Sequence, residues 1–455
     1  MAGIGFQLRK LTVGETLTGY VRAYGYAGLI SSGPWIMSVL SMVLLSWLLG
    51  PLMAERKDLD YFSASITHVY AFSLILVGPL QLVLTRFAAD KFAARRQTDI
   101  FPSYLAALAL TSVLAAALGF GFFGLVVKGP ILHRVSAAAL MVYVANIFIS
   151  SNYLTALRDH RTVVISFAAG YAASLLAAWV AAKWFGPMAA MAGFACGHAV
   201  LFLLLVRALH REFGRNVSPS WEVLGYFRRF PSLALVGLFY NLGIWADKLM
   251  FWWLSDQSVE INGLYTTPEY DVAICLSLLA IVPGMAVFFL KLETDFAEEY
   301  ERFFDAIESR RPLSAIRDAK AGIVATLRRG FAQLFKVQGL VTVLLVAFAG
   351  LLGAFLAIGS VKVGIFQVTL FGTFMLIGFL SMLTILFYVD DRKGALLCTA
   401  VFAIANAGLS FPTLKANEAW FGFGFVVAAA LGMALAAWRV NGRVSQLESY
   451  IFRAQ

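Results

Sequence analysis

The stretch PSLALVGLFYNLGIWADKLMFWWL, residues 231–254, is apolar from end to end except where Asp247 and Lys248 stand side by side. A bilayer core of about 30 Å takes about 20 apolar residues as a helix. An isolated strand cannot satisfy its backbone in lipid, so a helix is the form the stretch must take. The composition generalises the point. Of 455 residues, 60% are hydrophobic and 14% charged, where a soluble protein carries about a quarter charged. The chain reads as an all-α, polytopic membrane protein.

Twelve such runs predict transmembrane helices at 24–50, 62–85, 103–127, 131–157, 162–184, 187–208, 231–254, 271–291, 336–358, 363–389, 394–413 and 418–438. With an even number, both termini share a side. On that side lie 28 of the 36 Lys and Arg, and seven lie on the other, with Lys248 inside a span. Cytoplasmic loops are the ones enriched in Lys and Arg, so both termini are expected in the cytoplasm. The net charge of +10 is then loop charge and not a nucleic-acid footprint. Cys196, Cys275 and Cys398 lie in apolar runs with no metal-ligand spacing and read as packed thiols. No short apolar core with a cleavage site precedes the first span, so no cleaved signal peptide is expected.

GPLQLVLTRFAAD (78–90) and PGMAVFFLKLETD (283–295) align Arg86 with Lys291 and Asp90 with Asp295. Each falls at the cytoplasmic half of the second span of a six-span half, which predicts a parallel repeat with a substrate path between the halves. The expected organisation is a cytoplasmic segment 1–23, a six-helix bundle 24–208, a linker 209–230, a second bundle 231–440 and a tail 441–455. One difference between the halves is the segment 296–335. Its periodic Phe303, Ile307, Leu313 and Ile316, with a break near Pro312, predict helices lying along the inner membrane face. It reads either as a solvated connector or as a docking surface for a cytoplasmic partner.

Several longer motifs in order carry a resemblance: MAGIGFQLRKL (1–11), YAGLISSGPWIMSVL (26–40), GPLQLVLTRFAADKF (78–92), FYNLGIWADKLMFWW (239–253) and VPGMAVFFLKLETDFAEEY (282–300). Together they resemble the PelG family, the polytopic subunit of a bacterial exopolysaccharide system. The C-terminal third matches more by topology than by motif. The family is similar to the multidrug/oligosaccharidyl-lipid/polysaccharide (MOP) flippases. The resemblance implies two six-helix bundles in the inner membrane, carrying the N-acetylgalactosamine-rich Pel polymer to the periplasm. It further implies three partners beside membrane lipids: a cytoplasmic glycosyltransferase, a cyclic-di-GMP-binding membrane protein and a helical-repeat membrane protein. It brings no site residues with it.

The residues themselves supply candidates. An Asp near a span centre costs about 3 kcal/mol to insert, so Asp247 must face protein, water or a positive partner. Neighbours on a helix point about 100° apart, so Asp247 and Lys248 are not expected to be a same-face pair. Tyr240, Ile244 and Asp247 share one face, and Asn241 and Lys248 share the next. Asp247 is expected as an ion site, as a sugar-binding group with Asn241 and Tyr240, or as a packing residue held by another span. Snorkelling to the outer interface is the competing expectation for Lys248. His198, in GFACGHA, where Gly193 and Gly197 allow close helix approach, reads as a packing histidine before a proton relay, while Arg86 and Lys291 read as topology anchors, with a place at the cavity mouth as the alternative. Pro34 is expected to bend the first span. There is no phosphate loop, HExxH, metal set or nucleophile–base pair, so no cofactor and no enzymatic activity are expected. A drug antiporter of the same fold, or a membrane scaffold for a glycosyltransferase, are the alternative functions.

Overall fold

The computed structural model describes residues 17–53, 55–156, 160–214, 216–356 and 359–448, and residues 1–16 of the expected segment 1–23, with Arg9 and Lys10, and 449–455 of the expected tail 441–455 lie outside them. The regular structure of the described residues is helical apart from one two-stranded hairpin. Eleven helical stretches are long and apolar enough to cross a membrane. The expected span 24–50 falls in α1 (Leu17–Leu49), which continues through Pro34 as one helix, and whose described side chains give the shorter apolar stretch Ile36–Leu52. Large apolar side chains such as Val113, Leu203, Val343 and Ile404 are exposed in mid-span, as a lipid-facing surface requires.

Contacts divide the chain into two compact units, Gly33–Pro268 and Met1–Ser32 with Glu269–Gln455. The first unit holds α2 (Arg56–Ala93), α3 (Ile100–Gly121), α4 (Ile131–Ala156), α5 (His160–Phe185), α6 (Ala190–Phe213), the short α7 (Glu222–Arg229) and α8 (Pro231–Leu254). It closes with β1 (Val259–Ile261) and β2 (Leu264–Thr266). These pair antiparallel around Asn262 and Gly263, both at positive φ, as the primed two-residue turn of a hairpin requires.

The boundary differs from the expected linker at 209–230, because α8 packs on α2 inside this unit. Two glycines bring the helices together. A Cβ on Gly237 would lie 2.0 Å from the Gly78 carbonyl oxygen, and one on Gly78 would lie 2.7 Å from the Gly237 oxygen. Lipid is as apolar as leucine, so helices associate in it by close approach of small residues. The same device joins α5 to α6, where Gly193 faces Ala177 and Gly197 faces Ser174.

The other unit runs through α9 (Pro268–Leu279), α10 (Val282–Val287), a wide helical turn at Phe288–Glu293 and α11 (Thr294–Glu308). It continues through α12 (Leu313–Ala347), α13 (Ala349–Phe355), α14 (Ser360–Tyr388), α15 (Arg392–Ser410) and α16 (Phe423–Ser445). Gln338 of α12 is fully buried. It accepts the Gly284 N–H at 3.1 Å and donates to the Ala280 carbonyl at 2.8 Å.

The segment 296–335 corrects its expectation. Instead of lying along the membrane face, α11 continues the preceding span and α12 runs unbroken into the next. The two pack on each other, burying Phe303, Ala306, Ile316, Ile323 and Leu327. An apolar stripe has the same period whether it meets lipid or a second helix, and here packing within the protein takes Phe303 and Ile316 while Leu313 stays exposed. The turn between them is local chemistry. Arg310 adopts φ 51°, the Arg311 N–H bonds the Ala306 carbonyl, and Pro312 starts α12.

The glycine crossing makes a prediction. Gly237→Ala forces backbone apart and is expected to destabilise the purified protein by about 1–3 kcal/mol. Gly408→Ala, where nothing lies within 4 Å, is expected to leave it unchanged or slightly more stable. Thermal midpoints in one detergent compare the two, and equal effects would refute the tight crossing.

Candidate functional site

Span seven is α8, and Asn241 and Lys248 each bond a carbonyl one turn back on the same helix. Asp247 is fully buried and Lys248 is 5% exposed. The Lys248 ammonium donates to the Ile244 carbonyl at 2.8 Å and lies 3.2 and 3.5 Å from the two Asp247 carboxylate oxygens. It also sits 5.6 Å from the centre of the Trp245 ring.

Two expectations change. Asp247 and Lys248 do pair, because four methylenes let the ammonium swing across the 100° between their Cα–Cβ directions. Lys248 does not snorkel either. Its stem folds back toward the N-terminal end of α8, onto a carbonyl one turn behind, away from the end that snorkelling requires. Removing one partner of a buried ion pair weakens the compensation of the other charge.

Asn241 is buried and donates to the Gly237 carbonyl at 2.9 Å. It stands at the crossing, 2.8 Å from where a Gly78 Cβ would be. Tyr240 is half-buried on the face it shares with Ile244 and Asp247. The structure therefore joins Asp247 to Lys248 and gives Asn241 to the crossing with α2. One turn beyond the ion pair, Trp252 is fully buried and stacks on His68 of α2, ring centres 4.3 Å apart.

His198 is enclosed. Its Nδ1 lies 3.0 Å from both Ser174 Oγ and the Phe194 carbonyl, and its Nε2 lies 3.0 Å from the Tyr70 hydroxyl, itself 2.7 Å from that of Tyr171. Both ring nitrogens are satisfied across α2, α5 and α6, which is the arrangement of a packing histidine. Arg86 is 44% exposed, pairs with Asp90 at 3.0 Å and lies 5.4 Å over the Phe230 ring. Lys291 is half-buried in the wide turn, two residues from the buried Glu293, whose carboxylate accepts the Tyr388 hydroxyl at 3.2 Å.

Two charged groups went unremarked in the sequence. Lys91 is 4% exposed, with its ammonium 3.2 Å from Asp99 and 2.7 Å from both oxygens of Glu222. It ties the end of α2 to α7. Asp391, between α14 and α15, takes Arg439 at 2.6 Å and Arg443 at 2.9 Å and caps α15 through the Gly394 N–H. Burial raises the Asp391 carboxyl, but the hydrogen bonds from Arg443, Arg439 and Gly394 outweigh it and hold the group below the usual carboxylate range. The signal for Asp391 was present: two arginines four apart on one helix face, and an Asp just before a helix start. For Lys91 the partner is 131 residues away, and nothing local announces it.

With the fold and these sites described, the likenesses to known proteins become informative. The sequence pattern of the PelG family, described as "Putative exopolysaccharide Exporter (EPS-E)", matches residues 1–452. The chain belongs to the PelG family. No curated protein sequence matches it. Among solved structures it is similar to a MOP-superfamily transporter from Pyrococcus furiosus Vc1 (DSM3638), at 13% identity over 93% of this chain and 96% of that one, with a TM-score of 0.62. It is similar also to a MATE-family multidrug-resistance transporter of the MOP superfamily. The outward-facing form matches at 14% identity, 93% and 96% coverage and TM-score 0.62, and the inward-facing form at 14%, 92% and 99%, and 0.61. At such identities the likeness carries the fold. A PelG-family chain on a MOP-transporter fold, with eleven span-length helices among its described residues, is a multi-pass membrane transporter.

Asp391 supplies the second prediction. Its folded-state pKa is depressed, so its contribution is full above the unfolded value, near 3.8, and is lost as pH falls through the folded value. Asp391→Asn is expected to cost about 2 kcal/mol at pH 7, below the figure of about 3–5 for a fully buried pair, because both arginines are more than a quarter exposed. The gap to wild type should close below about pH 4. A gap that stays constant down to pH 3 would remove the carboxylate from the account.

Proposed function

We propose that the protein moves the N-acetylgalactosamine-rich Pel polymer from cytoplasm to periplasm across the bacterial inner membrane during biofilm matrix synthesis. The single observation that carries this is the family match over residues 1–452. The transporter fold agrees with it. The cytoplasmic placement of both termini rests on the uneven distribution of Lys and Arg among the loops. The reading brings with it a cytoplasmic glycosyltransferase that makes the polymer, a cyclic-di-GMP-binding membrane protein and a helical-repeat membrane protein as partners. The chain has no nucleotide-phosphate loop of its own. Polymer growth or an ion gradient therefore supplies the work, and the protein itself catalyses no reaction.

Within this reading, Asp247 and Lys248 belong to the transport path together with Asn241 and Tyr240. The Asp247 carboxylate already holds an ammonium at 3.2 Å. A proton or sodium ion there has to displace it, whereas sugar hydroxyls add hydrogen bonds to a pair that stays intact. That comparison supports sugar contact over ion binding, and because Asp247 is fully buried the reading requires a conformation in which the pair opens to the path.

Export of radiolabelled polymer into inverted membrane vesicles tests the function directly. Wild type is expected to accumulate polymer in the lumen. Asp247→Asn and Lys248→Met, at matched membrane levels, are expected to lower that accumulation at least tenfold. Polymer that stays outside wild-type vesicles, with proton-coupled efflux of cationic dyes instead, would make this a drug antiporter. Normal export by both variants would return the pair to a packing role and leave the function standing.

A further inference from the structure

The α11–α12 hairpin has a side that its internal packing does not use. Ile316, Ile323 and Leu327 of α12 are buried. Another face of α12 carries Arg317, Lys320, Arg328 and Arg329, which border a cavity of about 780 Å³. Its floor is made of small residues, Ala321, Val324 and Ala325. At about 100° per residue Arg317, Lys320 and Arg328 fall within about 80° of one another, on the face that also carries Ala321 and Val324, so they form one cationic face along about three turns, and Glu448 adds a carboxylate to the same cavity. Lys320 is committed to the chain itself, donating to the Ser445 carbonyl at 2.6 Å and lying 3.7 Å from Glu448. Arg317 and Arg328 are exposed, and no carboxylate pairs with either among the described residues.

Charge and shape narrow the occupant. An open face on which alanines and one valine stand among the cations admits a helix laid against it, as in helix-in-groove recognition. The cations call for carboxylates at matching spacing. Lipid headgroups are the other source of negative charge, and distance argues against them. The apolar part of α12 begins after Lys336. Arg328 is about 12 Å further along the axis and Arg317 about 28 Å, at about 1.5 Å per residue. One headgroup layer is only about 5–8 Å thick. Even with α12 tilted by about 40°, at the edge of the usual range, Arg317 stands about 20 Å from the hydrocarbon, well past that layer.

We propose that this groove on α12 docks an acidic amphipathic helix of a cytoplasmic protein. The proposal does not rest on which solute the transporter carries, and its test reads no transport.

The experiment uses the full-length protein in phosphatidylcholine nanodiscs. The probe is a fluorescein-labelled, alanine-rich peptide of about 18 residues with glutamates at the spacing of the four cations, read by fluorescence anisotropy at low salt. Binding is expected, weakened at least tenfold by Arg317→Glu/Arg328→Glu, and falling steeply as salt rises. A peptide of the same composition with two central prolines should bind at least fivefold more weakly. Both substitutions are on exposed positions, and an unchanged elution profile verifies the fold. Equal binding to wild type and the reversed variant overturns the proposal, as does equal binding of the proline peptide. Loss of peptide binding in nanodiscs with 30% phosphatidylglycerol assigns the groove to lipid and overturns it too. Disulfide-linked dimers of Arg328→Cys, formed in neutral lipid without peptide, assign it to a second copy of the chain, with the same consequence.

Discussion

Hydrocarbon offers no hydrogen bonds, and that constraint organises this molecule below the level of its helices as well as at it. A polar side chain inside a span has few acceptors in reach, and the nearest is the carbonyl four residues back. Asn241 bonds Gly237, Lys248 bonds Ile244, His198 approaches Phe194 and His68 approaches Ala64, each at 2.8–3.0 Å. Ser150, Ser174, Thr369 and Ser381 do the same with their hydroxyls. Part of the interior polarity is thus absorbed helix by helix, and part is bonded across helices, as at Gln338 and around His198. Elsewhere helices meet by close approach, and glycine supplies it at Gly78–Gly237 and along Gly193 and Gly197.

That division explains which features could be read from the sequence. The span positions, the all-α class and the singularity of Asp247 and Lys248 follow from local composition and from lipid. The small residues of GFACGHA marked a close helix approach, and the structure places Ala177 and Ser174 against them. The Asn262–Gly263 turn, flanked by alternating residues, was equally legible as a hairpin signal, although the loop in which it sits drew no reading. Long-range partners were not legible. Nothing around Lys91 points to Glu222, and an apolar stripe at 303–316 does not say whether a membrane or α12 will cover it.

The aligned pairs Arg86–Asp90 and Lys291–Asp295 show how a repeat in sequence can part company with itself in structure. In α2 the four-residue spacing lies on a regular helix, and the guanidinium reaches the carboxylate at 3.0 Å. Lys291 lies in the wide turn Phe288–Glu293, where hydrogen bonds run to the fifth residue. The side-chain register is shifted there, and the same spacing no longer stacks two residues on one face. Wide turns of this kind are uncommon and collect at functional positions. Here the turn also presents Glu293 to Tyr388, a contact for which the first unit has no counterpart in this sequence alignment, since position 88 is alanine.

The pair in α8 separates two kinds of transporter chemistry. An ion-coupled antiporter needs a carboxylate that alternates between a bound cation and an open state, and a covalently tethered ammonium opposes both. Its effective concentration beside Asp247 is set by a short stem and not by the solution, so a mobile ion competes at a large disadvantage. A pair that stays closed gives α8 a strong dipole and no net charge. That is the electrostatic character suited to a solute recognised by many hydroxyls and amides. On the proposed placement of the pair in the transport path, a cationic drug would gain little from it, because the tethered lysine already sits against the carboxylate.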